Sequence, residues 1–401
     1  MSVKLTLDKP IIISLGPTVE DAGWGTHQFP AINTDDSGRI GVTFHGAKDL
    51  MEAYGSEPLL YTSSDKGLTW IQIPSDKVHN EKTKFGILQG NGDRIFTETR
   101  TPVDMDPAVL PKELPYKAGD IKLYAAEDIP DSLFDKRWRF LRLKKGESVP
   151  EYEYTMPDYP GMNIVRNKDT LVPPFPFGRM RHAPDGSIWQ THYFIGRDPF
   201  NLGCSLFYNT YLFRSTDNGH NWSMESWIPY VPDTRQFKNA FFTEGFCEAD
   251  IAFMKDGSYI TVLRTGSFTP SFISRSLDKG KTWSTPVMFD DKGVWPCLLS
   301  LKCGSTLASY GRPGFFVRAS SDPAGMEWDP PVEIITKNDR TTERNTPINI
   351  YNQTSRLGTC SYSDMIALDD HSAMVVYSDF FVPDDKGIKR KAVKAQKITV
   401  G

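Results

Sequence analysis

Polar residues suited to proton transfer and anion binding recur at the ends of strand-like segments in this sequence. Six such segments each follow a polar turn, and their last polar residues are His45, Arg100, His192, Arg264, Arg312 and Asp379. The segments that precede those turns begin near Gln28, Arg179, Glu248 and Tyr362. Arginine holds a carboxylate through two parallel hydrogen bonds, while histidine, glutamate and tyrosine transfer protons or attack carbon. The set therefore predicts a site for an acidic ligand.

These residues recur because the chain repeats one structural unit that contains a copied turn. Three copies of the turn and a longer fourth one occupy residues 63–70, 215–222, 276–283 and 320–328. In the shared pattern an aspartate accepts hydrogen bonds from its own turn, a glycine supplies positive φ, and a tryptophan buries its ring beneath the hairpin. A copied turn of this kind predicts a copied β-structural unit.

The six units predict an all-β fold, a six-bladed β-propeller of four-stranded antiparallel blades. We expect one domain over residues 1–401, with a long insertion in blade two at about residues 101–173. That insertion either roofs the central cleft or forms a surface excursion. Pairing of residues 4–7 with residues 392–400 is expected to close the ring and remove exposed strand edges. Because the innermost strands of a propeller begin and end near its axis, equivalent positions converge on one pocket.

Composition narrows the classes of partner. The chain has 46 basic and 50 acidic side chains and a formal charge of −4, so it has no general field for nucleic acid or an anionic membrane. No apolar run approaches the ~18 residues of a spanning helix, and the first residues lack the apolar core of a signal peptide. Five cysteines without metal-ligand spacing favour reduced thiols in the cytoplasm, although a secreted chain whose signal was removed would look the same. We expect no metal or cofactor in the site, and a structural Ca²⁺ is the one ion left open.

The copied turn, Ser-x-Asp-x-Gly-x-Thr-Trp in its fullest form, resembles the Asp-box of the sialidase superfamily, whose members are six-bladed propellers of BNR repeats. Residues 248–278 are similar to the sialidase segment in which a glutamate precedes an arginine of the carboxylate-binding triad. Residues 361–364 resemble the segment that carries the tyrosine nucleophile, and residues 310–313 fall where the third triad arginine is expected. In that family the boxes themselves are structural.

The resemblance implies a role for each candidate residue. Arg264 and Arg312 would bind the carboxylate of a sialic acid or related sugar, Tyr362 would attack the anomeric carbon, and Glu248 would take the tyrosine proton. In the loop after the first unit, Asp49 is the candidate general acid and Glu52 the second choice. The implied protein is an exo-glycosidase of the exo-alpha-sialidase type acting on an acidic oligosaccharide or glycoconjugate.

One position departs from the family pattern. Sialidases open blade one with Arg-Ile-Pro, whereas this chain has Gln28, Phe29 and Pro30 there, so the first triad arginine is missing. Arg179 and Arg100, from other units, are the candidate substitutes for it. The loss removes a charge-assisted hydrogen-bond pair worth on the order of 1.5–3 kcal/mol per bond.

Two other functions remain open. The first is a propeller polysaccharide lyase or uronate-specific glycosidase, in which His45 or His192, with Tyr362, removes the proton next to a uronate carboxylate. The second is a propeller that binds glycans without cleaving them, through aromatic side chains that make up 12% of the chain.

Overall fold

The computed structural model describes residues 3–50, 53–115, 121–197, 204–335 and 358–401. Helices are short in this part of the chain: α1 is Val19–Ala22, α2 is Ser75–Thr83, and single 3-10 turns occur at Pro107–Val109, Ala126–Asp128 and Ala240–Phe242. None of the helices in these ranges is long and apolar enough to cross a membrane. Strands make up the rest of the regular structure.

The strands form antiparallel sheets that follow one another along the chain, preceded by β1 (Leu5–Leu7) and β2 (Ile11–Thr18). Sheet 1 contains β3 (Gln28–Thr34), β4 (Ile40–His45), β5 (Leu59–Ser63) and β6 (Ile71–Gln72). Sheet 2 begins with β7 (Ile87–Leu88) and β8 (Arg94–Glu98). The chain then leaves sheet 2 for β9 (Val103–Asp104) and β10 (Ile121–Ala125). It returns to sheet 2 with β11 (Trp138–Leu143) and β12 (Glu151–Thr155).

The segment predicted to be an insertion therefore has two roles. Strands β13 (Asn163–Asn167) and β14 (Thr170–Val172) join β9 and β10 in a separate sheet, the inserted sheet, with the order β10-β13-β14-β9. Strands β11 and β12, from the same segment, complete sheet 2 in the order β12-β11-β8-β7. An aromatic cluster that includes Trp138, Phe140, Phe213 and Trp222 packs sheet 2 and the inserted sheet against the next sheet.

The remaining sheets are antiparallel meanders. Sheet 3 contains β15 (Met180–His182), β16 (Ile188–Arg197), β17 (Cys204–Ser215) and β18 (Ser223–Ile228). Sheet 4 contains β19 (Cys247–Phe253), β20 (Tyr259–Arg264), β21 (Ser271–Ser276) and β22 (Val287–Asp290). Sheet 5 contains β23 (Val294–Ser300), β24 (Thr306–Gly311), β25 (Phe315–Ser320) and β26 (Val332–Ile335). Sheet 6 contains β27 (Ser363–Ala367), β28 (Ser372–Pro383) and β29 (Lys389–Val400).

The two ends of the chain meet in sheet 6. Strand β1 pairs with β29 in the register Leu5 to Val400, and β2 pairs with the same strand from Ile11 opposite Ala395. The Lys4 amide donates to the Gly401 carbonyl at 3.1 Å. The predicted pairing of the first and last strands is confirmed, and so are the all-β fold and its four-stranded antiparallel sheets. The count of six blades stays a prediction.

The copied turns fold as hairpin ends, as their residues predict. In the first copy the Asp65 carboxylate accepts from the Thr69 amide at 2.9 Å, and the Trp70 indole donates to the Gly67 carbonyl at 3.0 Å. Lys66 and Gly67 have φ of 60° and 88°, the left-handed conformation that glycine adopts without strain. The second copy repeats the indole bond from Trp222 at 3.0 Å.

A buried charge network joins the inner strands of five sheets. Asp250 of β19, which is 0% exposed, accepts two bonds from Arg181 of β15 at 3.1 and 2.6 Å and one from the Leu298 amide of β23 at 2.8 Å. Asp364 of β27 accepts from Arg179 at 2.8 Å and from the Ile32 amide of β3 at 3.1 Å. Ion pairs thus join sheets 3, 4 and 6, and backbone amides of sheets 5 and 1 donate to the same carboxylates. Paired and hydrogen-bonded charge is the form in which burial is tolerated.

Candidate active site

A cavity of about 520 Å³ opens where the inner strands of several sheets end. His45 and Asp49 wall it from sheet 1 and the loop that follows, while Glu248 and Tyr362 wall it from sheets 4 and 6. Further wall residues come from sheets 1 to 5 and their loops: Phe29, Tyr54, Glu57, Lys82, Glu98, Phe175, Phe177, Arg179, Tyr193 and Trp295. Concave sites with aromatic walls and a few convergent polar groups are typical of ligand pockets.

Tyr362 and Glu248 form the polar centre of this cavity. The Tyr362 hydroxyl donates a short hydrogen bond to Glu248 Oε1, and Arg264 Nη1 donates to the same hydroxyl at 3.1 Å. Arg264 Nη1 also pairs with Glu248 Oε2. Burial and the Glu248 carboxylate raise the pKa of Tyr362 well above its usual value, against the opposing charges of Arg264 and Arg312. The phenol therefore rests as a protonated hydroxyl whose proton points at a base.

A repeated β-bulge aims three side chains at Tyr362. Phe29, Glu248 and Trp295 have φ of 58°, 44° and 48°, and each lies where two residues of an inner strand oppose one residue of its partner. The ring centroids of Phe29 and Trp295 lie 4.6 and 4.9 Å from that of Tyr362. Bulges of this kind re-aim side chains beside active sites, and left-handed φ in non-glycine residues is strain that the surroundings must hold. Phe29 and Trp295 are thus structural equivalents of Glu248.

The bulge explains why Gln28 is not a wall residue. Gln28 pairs with His45 before the bulge, in the position that Cys247 takes opposite Arg264. It is 0% exposed, and its Oε1 accepts from the Gly25 amide and from Lys391 Nζ, the latter at 3.3 Å. The prediction that Gln28 binds substrate is corrected, because its side chain lies inside the protein and Phe29 reaches the cavity instead.

Arg264 and Arg312 lie behind Tyr362 and not in the cavity wall. They are 6% and 2% exposed. Arg312 donates to Ser267 Oγ at 3.0 Å and to the Cys360 carbonyl at 2.7 Å, and its guanidinium lies 5.7 Å from the centre of the Tyr362 ring. Burial lowers the pKa of Arg312, as does the charge of Arg264. Both arginines therefore act on Tyr362 and Glu248 in this structure, where the sequence predicted contact with a substrate carboxylate.

Asp49 and His45 line the same cavity as Tyr362 and Glu248. The Asp49 amide donates to the Trp24 carbonyl at 2.9 Å, and a Cβ on Gly25 would lie 2.1 Å from the Asp49 nitrogen, so only glycine allows this approach. Burial raises the pKa of Asp49, although His45 and a hydrogen bond from the Trp24 side chain oppose the rise. Burial likewise lowers the pKa of His45, against the charge of Asp49. A carboxylic acid with a raised pKa suits a proton donor.

Arg179, Arg100 and His192 have roles in the structure other than the predicted ones. Arg179 walls the cavity, but its guanidinium donates to Asp364 at 2.8 Å, to the Pro296 carbonyl at 3.1 Å and to the Ser363 carbonyl. Arg100 turns toward the segment between β10 and β11 and donates to the Asp135 carbonyl at 2.8 Å. The prediction that Arg100 replaces the missing arginine is corrected, since it does not reach the cavity wall.

His192 belongs to the core between sheets. It is 7% exposed, and its ring lies 3.9 Å from Phe194 and 6.0 Å from Trp138, with no hydrogen-bond partner for either nitrogen among the described residues. Burial lowers the pKa of His192 to about 3. Its prediction as a catalytic base is corrected, because β16 continues to Arg197 and the residue is not at a strand end. Glu52, the second choice for the acid, lies outside the described residues.

Sequence reasoning missed an aromatic wall that runs along the cavity. Neighbouring ring centroids are 5.7 Å apart for Tyr54 and Phe175, 5.5 Å for Phe175 and Phe177, 5.9 Å for Phe177 and Trp295, and 4.9 Å for Trp295 and Tyr362. A proline after both Phe29 and Trp295 was the available signal, since it marks the bulge in two units.

Within the described ranges, no three His, Cys, Asp or Glu side chains are grouped to hold a metal ion, and structural Ca²⁺ stays a prediction.

Comparison with solved structures places the chain among β-propellers. It is similar to a protein of unknown function from Dyadobacter fermentans DSM 18053, at 18% identity and a TM-score of 0.61, over 98% of this chain and 99% of that one. It is also similar to the NanB sialidase of Streptococcus pneumoniae, at 13% identity and a TM-score of 0.52, over 98% and 70%. A third is the alpha-L-arabinofuranosidase Arb93A of Fusarium graminearum, at 12% identity and a TM-score of 0.52, over 97% of both chains.

No protein-family model matches the sequence, and no curated protein matches it. At these identities the likeness concerns the fold alone. The protein is a β-propeller of the kind found in sialidases and arabinofuranosidases, with a cavity whose wall includes Tyr362, Glu248, Asp49 and His45.

Proposed function

We propose that this protein is a glycoside hydrolase that removes a terminal sugar from a glycan, with Tyr362 as nucleophile and Glu248 as its base. The observation that carries the proposal is the hydrogen bond from Tyr362 to Glu248 in the wall of a cavity that Asp49 also lines. Tyr362 is half-buried whereas Glu248 is 7% exposed, so a bound sugar meets the phenol first. Propeller neighbours that are named sialidase and arabinofuranosidase support the reaction class.

The proposed reaction has two displacement steps. Tyr362 Oη attacks the anomeric carbon and gives its proton to Glu248, while Asp49 donates a proton to the leaving oxygen as the glycosidic bond breaks. Water then attacks the same carbon, loses its proton to the Asp49 carboxylate, and displaces Tyr362, which recovers its proton from Glu248. The anomeric configuration is retained over the two inversions. Arg264 and Arg312 stabilise the phenolate as negative charge develops and departs.

The sugar that fits this cavity best is a neutral one. Arg264 and Arg312 are buried behind the cavity wall and Arg179 is bound to Asp364, so none of the three presents an unengaged guanidinium to a substrate carboxylate. The aromatic wall offers faces and edges on which a sugar ring stacks. The sialic acid predicted from the sequence therefore lacks its main binding groups, whereas an arabinose-like or hexose-like terminal sugar does not need them.

A second candidate reaction is β-elimination next to a uronate carboxylate. It is favoured by His45, an imidazole in the cavity wall whose lowered pKa favours the uncharged form that a base requires. His192 has no part in this candidate. The engaged arginines weigh against it, since elimination needs a neutralised carboxylate.

Product analysis by mass spectrometry separates these functions. The protein is incubated with oligosaccharides that end in arabinose, galactose, sialic acid or a uronate. We expect a neutral monosaccharide with the mass of added water. Release of sialic acid would retain the hydrolase and overturn the neutral sugar, an unsaturated product would establish a lyase, and binding without turnover would leave a glycan-binding propeller.

Two variants test the roles within the site. Tyr362→Phe should lower kcat on the cleaved substrate by at least about 10³-fold, because the nucleophile is gone. Asp49→Asn should lower kcat by about 10²-fold or more on alkyl glycosides, yet spare the first-turnover release of an activated phenol, whose departure needs no proton. Near-normal turnover of Tyr362→Phe would remove the tyrosine from the mechanism.

A further inference from the structure

A buried lysine contacts the segment that holds the proposed acid. Lys391 of β29 is 0% exposed, and Nζ donates to the Gly23 carbonyl at 2.5 Å and to Gln28 Oε1 at 3.3 Å. Its ammonium also lies 4.6 Å from the centre of the Phe380 ring. No carboxylate in the described part of the chain forms an ion pair with it. A fully buried cation held only by neutral oxygens and a ring is unusual, because desolvation is costly without an opposite charge.

Lys391 is connected to Asp49 through Gln28 and residues 23–25. Gln28 Oε1, which Lys391 reaches, also accepts from the Gly25 amide. Between Gly23 and Gly25 stands Trp24, whose carbonyl accepts the Asp49 amide at 2.9 Å. Gly25 is so close to Asp49 that a Cβ would overlap its backbone. One backbone group of each of residues 23–25 is thus bound to Lys391, Asp49 or Gln28, respectively.

We propose that Gln28 and Lys391 are positioning residues that clamp residues 23–25 and thereby place the Asp49 carboxyl against the leaving oxygen. The clamp spans two sheets, because Gln28 lies in β3 of sheet 1 and Lys391 in β29 of sheet 6. It gives Gln28, which stands where the first sialidase arginine is expected, a role inside the protein instead of on the substrate. The inference rests on the proposed function, since it needs Asp49 as the proton donor.

The test uses the leaving group to isolate proton donation. Lys391→Met keeps the volume of the side chain and removes its hydrogen bonds. A displacement of about 1 Å at a catalytic group costs about 10²-fold, so kcat on alkyl glycosides should fall by about that factor with little change in KM. The first-turnover release of an activated phenol from an aryl glycoside should stay within about twofold, as for Asp49→Asn. A merely structural role of Lys391 would lower both rates together.

Matched variants complete the experiment. Lys394→Met, on the same strand, removes an ion pair with Asp379 at 2.6 Å and should change neither rate. Gln28→Glu keeps an acceptor for Gly25 and Lys391 and should preserve cleavage of alkyl glycosides, whereas Gln28→Leu should lose it selectively. If Lys391→Met does not fold, as judged by its melting temperature, the two Gln28 variants decide.

The outcomes separate the clamp from the function on which it rests. Equal loss of both rates in Lys391→Met and in Gln28→Leu would overturn the clamp and leave the hydrolase intact. No cleavage of any glycoside by the unmodified protein would overturn the proposed function itself. The expected result is selective loss in Lys391→Met and Gln28→Leu, with retention in Gln28→Glu and Lys394→Met.

Discussion

The buried His192 predicts that the fold loses stability in mild acid. Its ring lies among Phe194, Trp138 and Phe213, and its pKa falls from 6.5 to about 3 because burial penalises the charged form. A group whose folded pKa is depressed in this way binds its proton in the unfolded chain first. Stability is therefore complete above pH 6.5 and declines as the pH falls from 6.5 toward 3.

The size of the loss in stability follows from how far the pH lies below the pKa of His192 in the unfolded chain. At pH 5, about 1.5 pH units below the unfolded value, the unfolded chain gains about 2 kcal/mol by protonating His192. At pH 7.5 the gain is close to zero. His27, whose pKa is lowered to about 4 mainly by burial, adds a similar loss of its own. A comparison of two proteins that both keep His27 cancels that second contribution.

The assay is urea unfolding of the unmodified protein and of His192→Phe at pH 7.5, 6 and 5. Phenylalanine fills the aromatic site without a titrating ring, so the difference in unfolding free energy should move in favour of the variant by about 2 kcal/mol between pH 7.5 and 5. His371→Gln, at an exposed turn, serves as control and should show no such trend. A difference that stays constant with pH would refute the assignment of His192 as a buried neutral ring. Glycosidase activity at pH 7.5 should be unchanged in His192→Phe.

Two further predictions concern the inner strands and the cavity wall. Asp250→Asn should lower the free energy of unfolding by about 3–5 kcal/mol, because Arg181 would be left buried without its charge partner; denaturant unfolding at pH 7.5 measures it, and a loss below about 1 kcal/mol would show that the network is dispensable. Phe175→Ala should raise KM for oligosaccharides about tenfold with kcat nearly unchanged, since a stacking face for the glycan is lost; steady-state kinetics test it, and a lower kcat at constant KM would contradict a binding role.

The fold could be predicted from the sequence because the turns between its strands require particular residue types. Turns such as residues 63–70 need an acceptor, a left-handed glycine and a buried indole, and few other structures use all three. The pairing of the first and last strands followed from the need to cover sheet edges. The extent of the insertion was harder to predict, because β11 and β12 lie within it in the sequence but belong to sheet 2. Only the long-range pairing of β11 with β8 shows this.

The candidate site was predictable only in part. Tyr362, Glu248 and Arg264 come together as the resemblance implied, and Asp49 and His45 share their cavity. Gln28 was misplaced because one inserted residue in a strand exchanges the inward side chain for its neighbour. The prolines that follow Phe29 and Trp295 are the sign that this bulge leaves in the sequence.

Burial was the second quantity that the sequence did not supply. His192 and Lys391 stand in segments of ordinary polarity, yet both are buried by neighbours far away in the chain. Arg312 lies at the expected position, but it is buried and not exposed to a substrate, because Trp24 and Tyr362 cover it. Whether a charged group meets the substrate or supports another residue depends on such long-range packing.

The pairing of β1 and β2 with β29 also fixes when the site can exist during synthesis of the chain. Strands β1 and β2 remain unpaired until their partner, β29, has left the ribosome. Tyr362 precedes the first strand of that same final sheet, and Lys391 lies in its last. A nascent chain that stops short of sheet 6 thus carries Glu248, Asp49 and Gln28 but neither the proposed nucleophile Tyr362 nor Lys391. The residues of the proposed site are therefore complete only when sheet 6 can pair with β1 and β2.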